Sequence, residues 1–103
     1  MKIRISRLAL GDVDEIFAYT AENWGRNQAE KYLEQIWDTF GRITADPKRW
    51  RLRDDVHPGC RICHSGRHAV LYRIHKGRVE VARVLHDAMD FKRHLTAGSF
   101  DFE

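Results

Sequence analysis

Four side chains carry the functional groups for a reaction: Arg67, Arg73, Glu80 and His86. Cleavage of RNA needs a base for the 2′-hydroxyl, an acid for the leaving oxygen and cations on the phosphate. His86 and the two arginines could supply these. Their placement follows from two strands read by period-two alternation. Val70, Tyr72 and Ile74 mark the first, and Val79, Val81 and Leu85 the second. Lys76-Gly77 lies between them as a two-residue turn, because glycine tolerates the positive φ such turns need. That loop sets His75 opposite Arg78, Arg73 opposite Glu80, Leu71 opposite Ala82, Val70 opposite Arg83 and Arg67 opposite His86. One face then carries Val70, Tyr72, Ile74, Val79, Val81 and Leu85, with His68 and Arg83 towards one end. The other carries Arg67, Ala69, Leu71, Arg73, Glu80, Ala82, Val84 and His86. The first reads as core and the second as a half-covered, mixed face. A cross-strand pair of Arg73 with Glu80 would occupy both groups. The expectation is therefore no catalytic set; in a nuclease, His86, Arg67 and Arg73 would carry the reaction.

Cys60-Arg61-Ile62-Cys63-His64 matches the C-x-x-C-H pattern of haem attachment. Attachment needs export and a second axial ligand, and the methionines are only Met1 and Met89. Cys60, Cys63, His57 and His64 also have the ligand types of a zinc site. Cysteines three apart point to opposite faces of a regular strand, and there is no second cysteine pair. The preferred reading is two small, half-buried thiols, with no metal and no cofactor.

The elements that hold these residues follow in order. Lys2 to Ser6 alternates Ile3 and Ile5 with polar residues, as a short strand that must pair far along the chain. From Leu8 the period becomes helical: Ala9, Val13, Ile16, Phe17, Thr20 and Trp24 share a face. Asp12 and Glu15 are acids early in this helix, where its dipole favours them. Trp24 reads as the end of a core stripe. Gly25 stops the helix. Asn27 and Glu30 resemble a capping box for a second helix, whose stripe is Ala29, Leu33, Ile36, Trp37, Phe40 and Ile43. Asp46-Pro47 ends it. Lys48 to Gly59 is an irregular basic loop with Trp50 tucked beneath it. Arg61 to Ser65 resumes extended character, with a turn at Ser65-Gly66. Asp87 to Leu95 reads as a short last helix stopped by Ala97-Gly98-Ser99. The tail Phe100 to Glu103 keeps two aromatics and is expected to dock.

The sum is an α+β, two-layer fold in the order β-α-α-β-β-β-α, one domain spanning residues 1–103. A helical hairpin packs on a mostly antiparallel four-stranded sheet. The formal charge of +3 suits an acidic partner without demanding nucleic acid. The chain opens on no signal peptide. No apolar run approaches the roughly 20 residues that span a bilayer. A cytoplasmic protein with reduced thiols is expected.

Several blocks, in order, resemble the ParE branch of the RelE/ParE toxins. They are DVDEIFAYTAENWG from Asp12 to Gly25, AEKYL from Ala29 to Leu33, Pro58-Gly59, GRHAVLYR from Gly66 to Arg73, VARVLH from Val81 to His86 and DFKRHL from Asp90 to Leu95. The resemblance covers nearly the whole chain and implies the same element order. It implies the toxin half of a type II toxin–antitoxin pair, neutralised by a ParD-like antitoxin laid over its surface. ParE-like toxins poison DNA gyrase, whereas RelE-like relatives cut messenger RNA on the ribosome. The RNA-cleaving relatives carry a basic residue on the central strand, where this chain has Ala69. They also tend to have a catalytic Tyr, Arg or His late in the chain. Here His86 remains, followed by Asp87, Ala88 and Met89. The gyrase branch is therefore expected, with an RNA-cleaving toxin or a non-toxic antitoxin-binding module as alternatives. The antitoxin is expected on the mixed face and the rim of the first helix, at Trp24, Arg67, Leu71 and Arg73.

Overall fold

The computed structural model describes residues 1–96 and 98–102. The elements are β1 (Lys2–Ile5), α1 (Arg7–Trp24), α2 (Arg26–Ala45), β2 (Arg61–Ser65), β3 (His68–His75), β4 (Arg78–His86) and α3 (Phe91–His94). The sheet order is β1-β4-β3-β2. The distant partner of the first strand is β4, to which it runs parallel, with Ile3 beside Val79 and Ile5 beside Val81. The other pairings are antiparallel.

Ser6 joins the first strand to the first helix. Its hydroxyl oxygen accepts from the Ala9 N–H at 2.9 Å and donates to the Ala82 carbonyl at 2.7 Å. The helix thus starts at Arg7 with a side-chain cap. Asp12 lies beyond the first turn and has another partner. At the far end, Gly25 takes a φ of 91°. Its N–H closes α1 on Ala21 and its carbonyl opens α2 on Ala29. One residue therefore turns the chain between the helices. The capping box at Asn27 and Glu30 does not form: α2 begins at Arg26 with no side-chain cap. Glu30 instead pairs with Arg26 at 3.1 Å.

The helix-facing core contains Ala9, Val13, Ile36, Phe40 and Ile43 against Cys63, Val70, Tyr72, Val79, Val81 and Val84. Trp37 is not part of it and stays exposed, its ring edge-on to Phe40. Trp24, read as core, is 65% exposed. Trp50 packs against this core from the basic loop, as expected.

The β3–β4 register departs from the regular ladder. Lys76 and Gly77, with φ of 51° and 73°, form the expected turn, and Arg73 faces Glu80. Beyond Tyr72 and Val81 the ladder slips: Leu71 pairs with Arg83, Val70 with Val84 and His68 with His86. Ala82 is the extra residue of a β-bulge. The expected pairings of Leu71 with Ala82, Val70 with Arg83 and Arg67 with His86 are each off by one. A one-residue slip exchanges faces. Val84 consequently joins the helix-side core, and Leu85 moves to the opposite face.

That opposite face is not open. Ala69, Leu71, Ala82, Leu85, Cys60 and Ile62 form a second core with Leu95 and Phe100, flanked by Val56, Phe91 and Phe102. The chain after β4 folds back as a cover. Only Phe91–His94 is helical, shorter than the expected Asp87 to Leu95. Gly98 and Ser99 form a turn after it. Ala97 and Glu103, named in the sequence reading, lie outside the described residues. Cys60 and Cys63 sit in different cores on opposite faces of the sheet, both fully buried rather than half-buried. Burial pushes the Cys60 thiol up to about 12.

Glu80 is fully buried beneath this cover. Its carboxylate accepts from Arg73 Nε at 2.7 Å and from Arg78 Nε at 2.8 Å. Burial pushes its pKa up, but the two guanidinium hydrogen bonds outweigh that and hold it below the ordinary glutamate value. A depressed carboxyl pKa stabilises the fold above the unfolded value, about 4.3, and that contribution is lost as pH falls through the folded value. Glu80→Gln should cost roughly 2–3 kcal/mol at neutral pH, because it strands two guanidiniums that keep some contact with water. Urea unfolding at neutral and acid pH tests this: the variant should lose less further stability below about pH 4 than the parent chain.

Candidate functional site

The Gly66-Arg67 turn and the helical elbow at Gly25 bring a set of side chains to one end of the sheet. In the turn Gly66-Arg67 between β2 and β3, Gly66 has φ 59°. A Cβ there would lie 2.6 Å from Tyr32 Cε1 and 2.7 Å from Tyr32 Oη. Only glycine lets the turn approach α2 this closely. Tyr32 Oη accepts from the Arg67 N–H at 3.0 Å, donates to the Ser65 carbonyl at 3.1 Å and lies 2.6 Å from His68 Nδ1. Burial raises the Tyr32 pKa.

His68 is held on one side by Tyr32 and on the other by His86, with ring centroids 5.4 Å and 5.3 Å away. Burial, then the neighbouring His86, lowers the His68 pKa. On His86 the Nδ1 atom accepts from the Ala88 N–H at 3.0 Å. The proton of the neutral ring is therefore on Nε2, which is a donor. Above this floor stand Tyr19 and Trp24 of α1, edge to face at 6.0 Å. Together with Thr20, Gln28, Gly66 and Arg67 they enclose a groove of about 530 Å³.

The groove gathers Trp24, Arg67 and His86 but not Arg73 or Leu71. Leu71 has no exposed surface and lies under the C-terminal cover. Arg73 donates to Glu80 and to the Phe100 carbonyl at 2.6 Å, with its guanidinium 5.1 Å from the Phe100 ring centre. His86 and Arg73 are thus not on one face, as regular alternation placed them. The bulge turned His86 to the side of His68. The sequence reading missed Tyr32, and nothing in its spacing singled it out. Gly66 in a turn was the available signal, since a required glycine can mark a close backbone approach.

His64 of the C-x-x-C-H pattern is exposed, with its Nδ1 2.8 Å from Asp87 Oδ1. Among the described residues no group of three or more His, Cys, Asp or Glu side chains could hold a metal ion. Among the described residues no helix is long and apolar enough to cross a membrane.

The family described as "ParE toxin of type II toxin-antitoxin system, parDE" matches residues 3–91. The chain belongs to the ParE toxin family. It is 38% identical over 92 residues to Toxin ParE1 of Caulobacter vibrioides, covering 89% of this chain and 95% of that one. It is 37% identical to Toxin ParE1 of Mycobacterium tuberculosis over 88% of this chain and 94% of the relative. Two solved structures share the fold. One is the chromosomal ParDE toxin–antitoxin system from P. aeruginosa (TM-score 0.75, 18% identity, 84% of this chain and 95% of that one). The other is the toxin–antitoxin complex RelBE2 from M. tuberculosis (TM-score 0.59, 22% identity, 82% and 95%). This ParE toxin therefore has the two-layer α+β fold expected from its sequence.

Gly66→Ala should destabilise it by at least about 2 kcal/mol, since strain at positive φ adds to the collision with a pinned tyrosine. Tyr32→Phe, which keeps the ring and removes the hydroxyl, should cost about 1–2 kcal/mol. Denaturant unfolding checks both. A histidine with a lowered pKa leaves the unfolded chain binding more protons, so stability declines as pH falls below about 6.5. His68→Gln should flatten the part of that decline between about pH 7 and pH 5.

Proposed function

We propose that this chain is the toxin of a type II toxin–antitoxin pair, that a ParD-like antitoxin neutralises it, and that its target is DNA gyrase rather than RNA. Family membership supports the first part. An antitoxin partner is supported by the two solved structures that share the fold, which are toxin–antitoxin assemblies. The choice of a non-enzymatic mode rests on one observation. Arg73 is engaged by Glu80 and the Phe100 carbonyl beneath the C-terminal cover, away from His86. A phosphate cannot be clamped by a guanidinium already held this way, and the central strand offers Ala69 instead of a cation.

A second reading has its own support. Arg67, His68 and His86 line one groove beside two exposed aromatic rings. An RNA-cleaving toxin would use His86 with Arg67 there. Replacing His86 separates the two readings. On the gyrase reading, induced expression arrests growth, the purified protein blocks supercoiling by gyrase, and His86→Ala keeps both effects. Normal supercoiling at excess toxin, with ribosome-dependent mRNA cleavage lost in His86→Ala, would establish the enzyme instead. Harmless expression of folded protein would leave only an antitoxin-binding module.

A further inference from the structure

Building on the toxin–antitoxin reading, we propose that the groove between the helical elbow and the Gly66-Arg67 turn seats one short segment of the antitoxin, with a large apolar side chain against Tyr19 and Trp24 and a carboxylate against Arg67 and His86. Three features define that occupant. The first is aromatic surface left in water. Trp24 is 65% and Tyr19 61% exposed, and their rings meet edge to face. Aromatic rings beside an arginine are the residue types that anchor protein interfaces. The second is charge. The lining includes Arg67, His68 and His86 and no carboxylate. The third is donor geometry. His86 Nδ1 is satisfied by the Ala88 N–H, which leaves Nε2–H as its unused donor. The exposed Arg67 side chain has no ion-pair partner among the described residues. An antitoxin aspartate or glutamate would satisfy both groups with charge-assisted hydrogen bonds.

The floor beneath these groups is fixed before any partner arrives. Tyr32 is held by the Arg67 N–H, the Ser65 carbonyl and His68. Preorganisation of this kind lowers the ordering cost of binding. The groups around the histidines are Asp12 and Glu15 from α1, Tyr32 from α2, Arg67 from the turn, Arg83 from β4 and Asp87 after it. Asp12 is occupied by Arg83, and Asp87 by His64.

The test measures the affinity of the antitoxin that co-purifies with this chain, by calorimetry. Trp24→Ala should weaken binding roughly tenfold to a hundredfold, the scale of losing an anchor aromatic. His86→Gln and Arg67→Gln should each weaken it less. Trp24 and Arg67 are exposed, so thermal unfolding of those two free variants should match the parent chain. Antitoxin binding unchanged in Trp24→Ala and His86→Gln overturns the inference and leaves the toxin–antitoxin reading intact. So does binding of single-stranded RNA, or self-association, that Trp24→Ala abolishes while the antitoxin binds it as before. Failure of any antitoxin to bind the parent chain overturns the toxin–antitoxin reading itself.

Discussion

Asp12 and Arg83 join the first helix to the last strand by a two-pronged ion pair, Nε to Oδ2 and Nη2 to Oδ1, each 2.8 Å. The same carboxylate accepts the Val84 N–H at 2.9 Å. It therefore fills the edge of β4 where β1 has already ended at Ile5. An open edge N–H would otherwise need water or a foreign strand. Arg83 Nη1 also reaches the His94 carbonyl, at 3.5 Å, which brings the C-terminal cover into the same joint. Both side chains are largely buried, so loss of either would strand a charge in a poor solvent for it. Helix, strand and cover are positioned relative to one another here.

The bulge at Ala82 lies beside this joint, and its consequences run through the rest of the molecule. Up to Val81 the sheet alternates regularly. Past it, Val84 faces the helices, Leu85 faces the cover and His86 lies opposite His68. A regular ladder would have placed His86 on the far face with Arg73. The bulge thus separates a histidine and an arginine that might have shared a phosphate. It joins the histidine to the groove under Trp24 instead. The Ser6 hydroxyl on the Ala82 carbonyl ties the cap of α1 to the bulged residue itself.

The two faces of the sheet serve different ends. The helix side holds the larger core, and its margin at the elbow remains aromatic and exposed. The other side is sealed by the chain's own return, with Leu95 and Phe100 over Leu71 and Leu85. Arg73 serves this seal through Glu80 and the Phe100 carbonyl. A residue that looked like a phosphate clamp is part of the internal architecture. Family membership and fold agree with this division: the recurring scaffold is the sheet with its hairpin, while function depends on what the scaffold leaves exposed.

The sequence by itself determined the elements, their order and the family. Alternation and helical spacing are local properties, and the blocks at Asp12, Gly66 and Val81 are written directly in residue types. It also determined the Lys76-Gly77 turn and the pairing of Arg73 with Glu80, because a two-residue loop fixes the register nearest to it. Only the tertiary structure decided the rest of the register. A bulge adds one residue at a position set by what Ser6 and Asp12 need from β4, and those partners lie more than 70 residues away. The burial of Leu71, the exposure of Trp24 and the meeting of Tyr32 with His68 all followed from contacts between distant segments. Of the four side chains at the outset, Arg73 and Glu80 serve the internal architecture, while Arg67 and His86 line the groove. Which face His86 would occupy was settled by one extra residue in a strand.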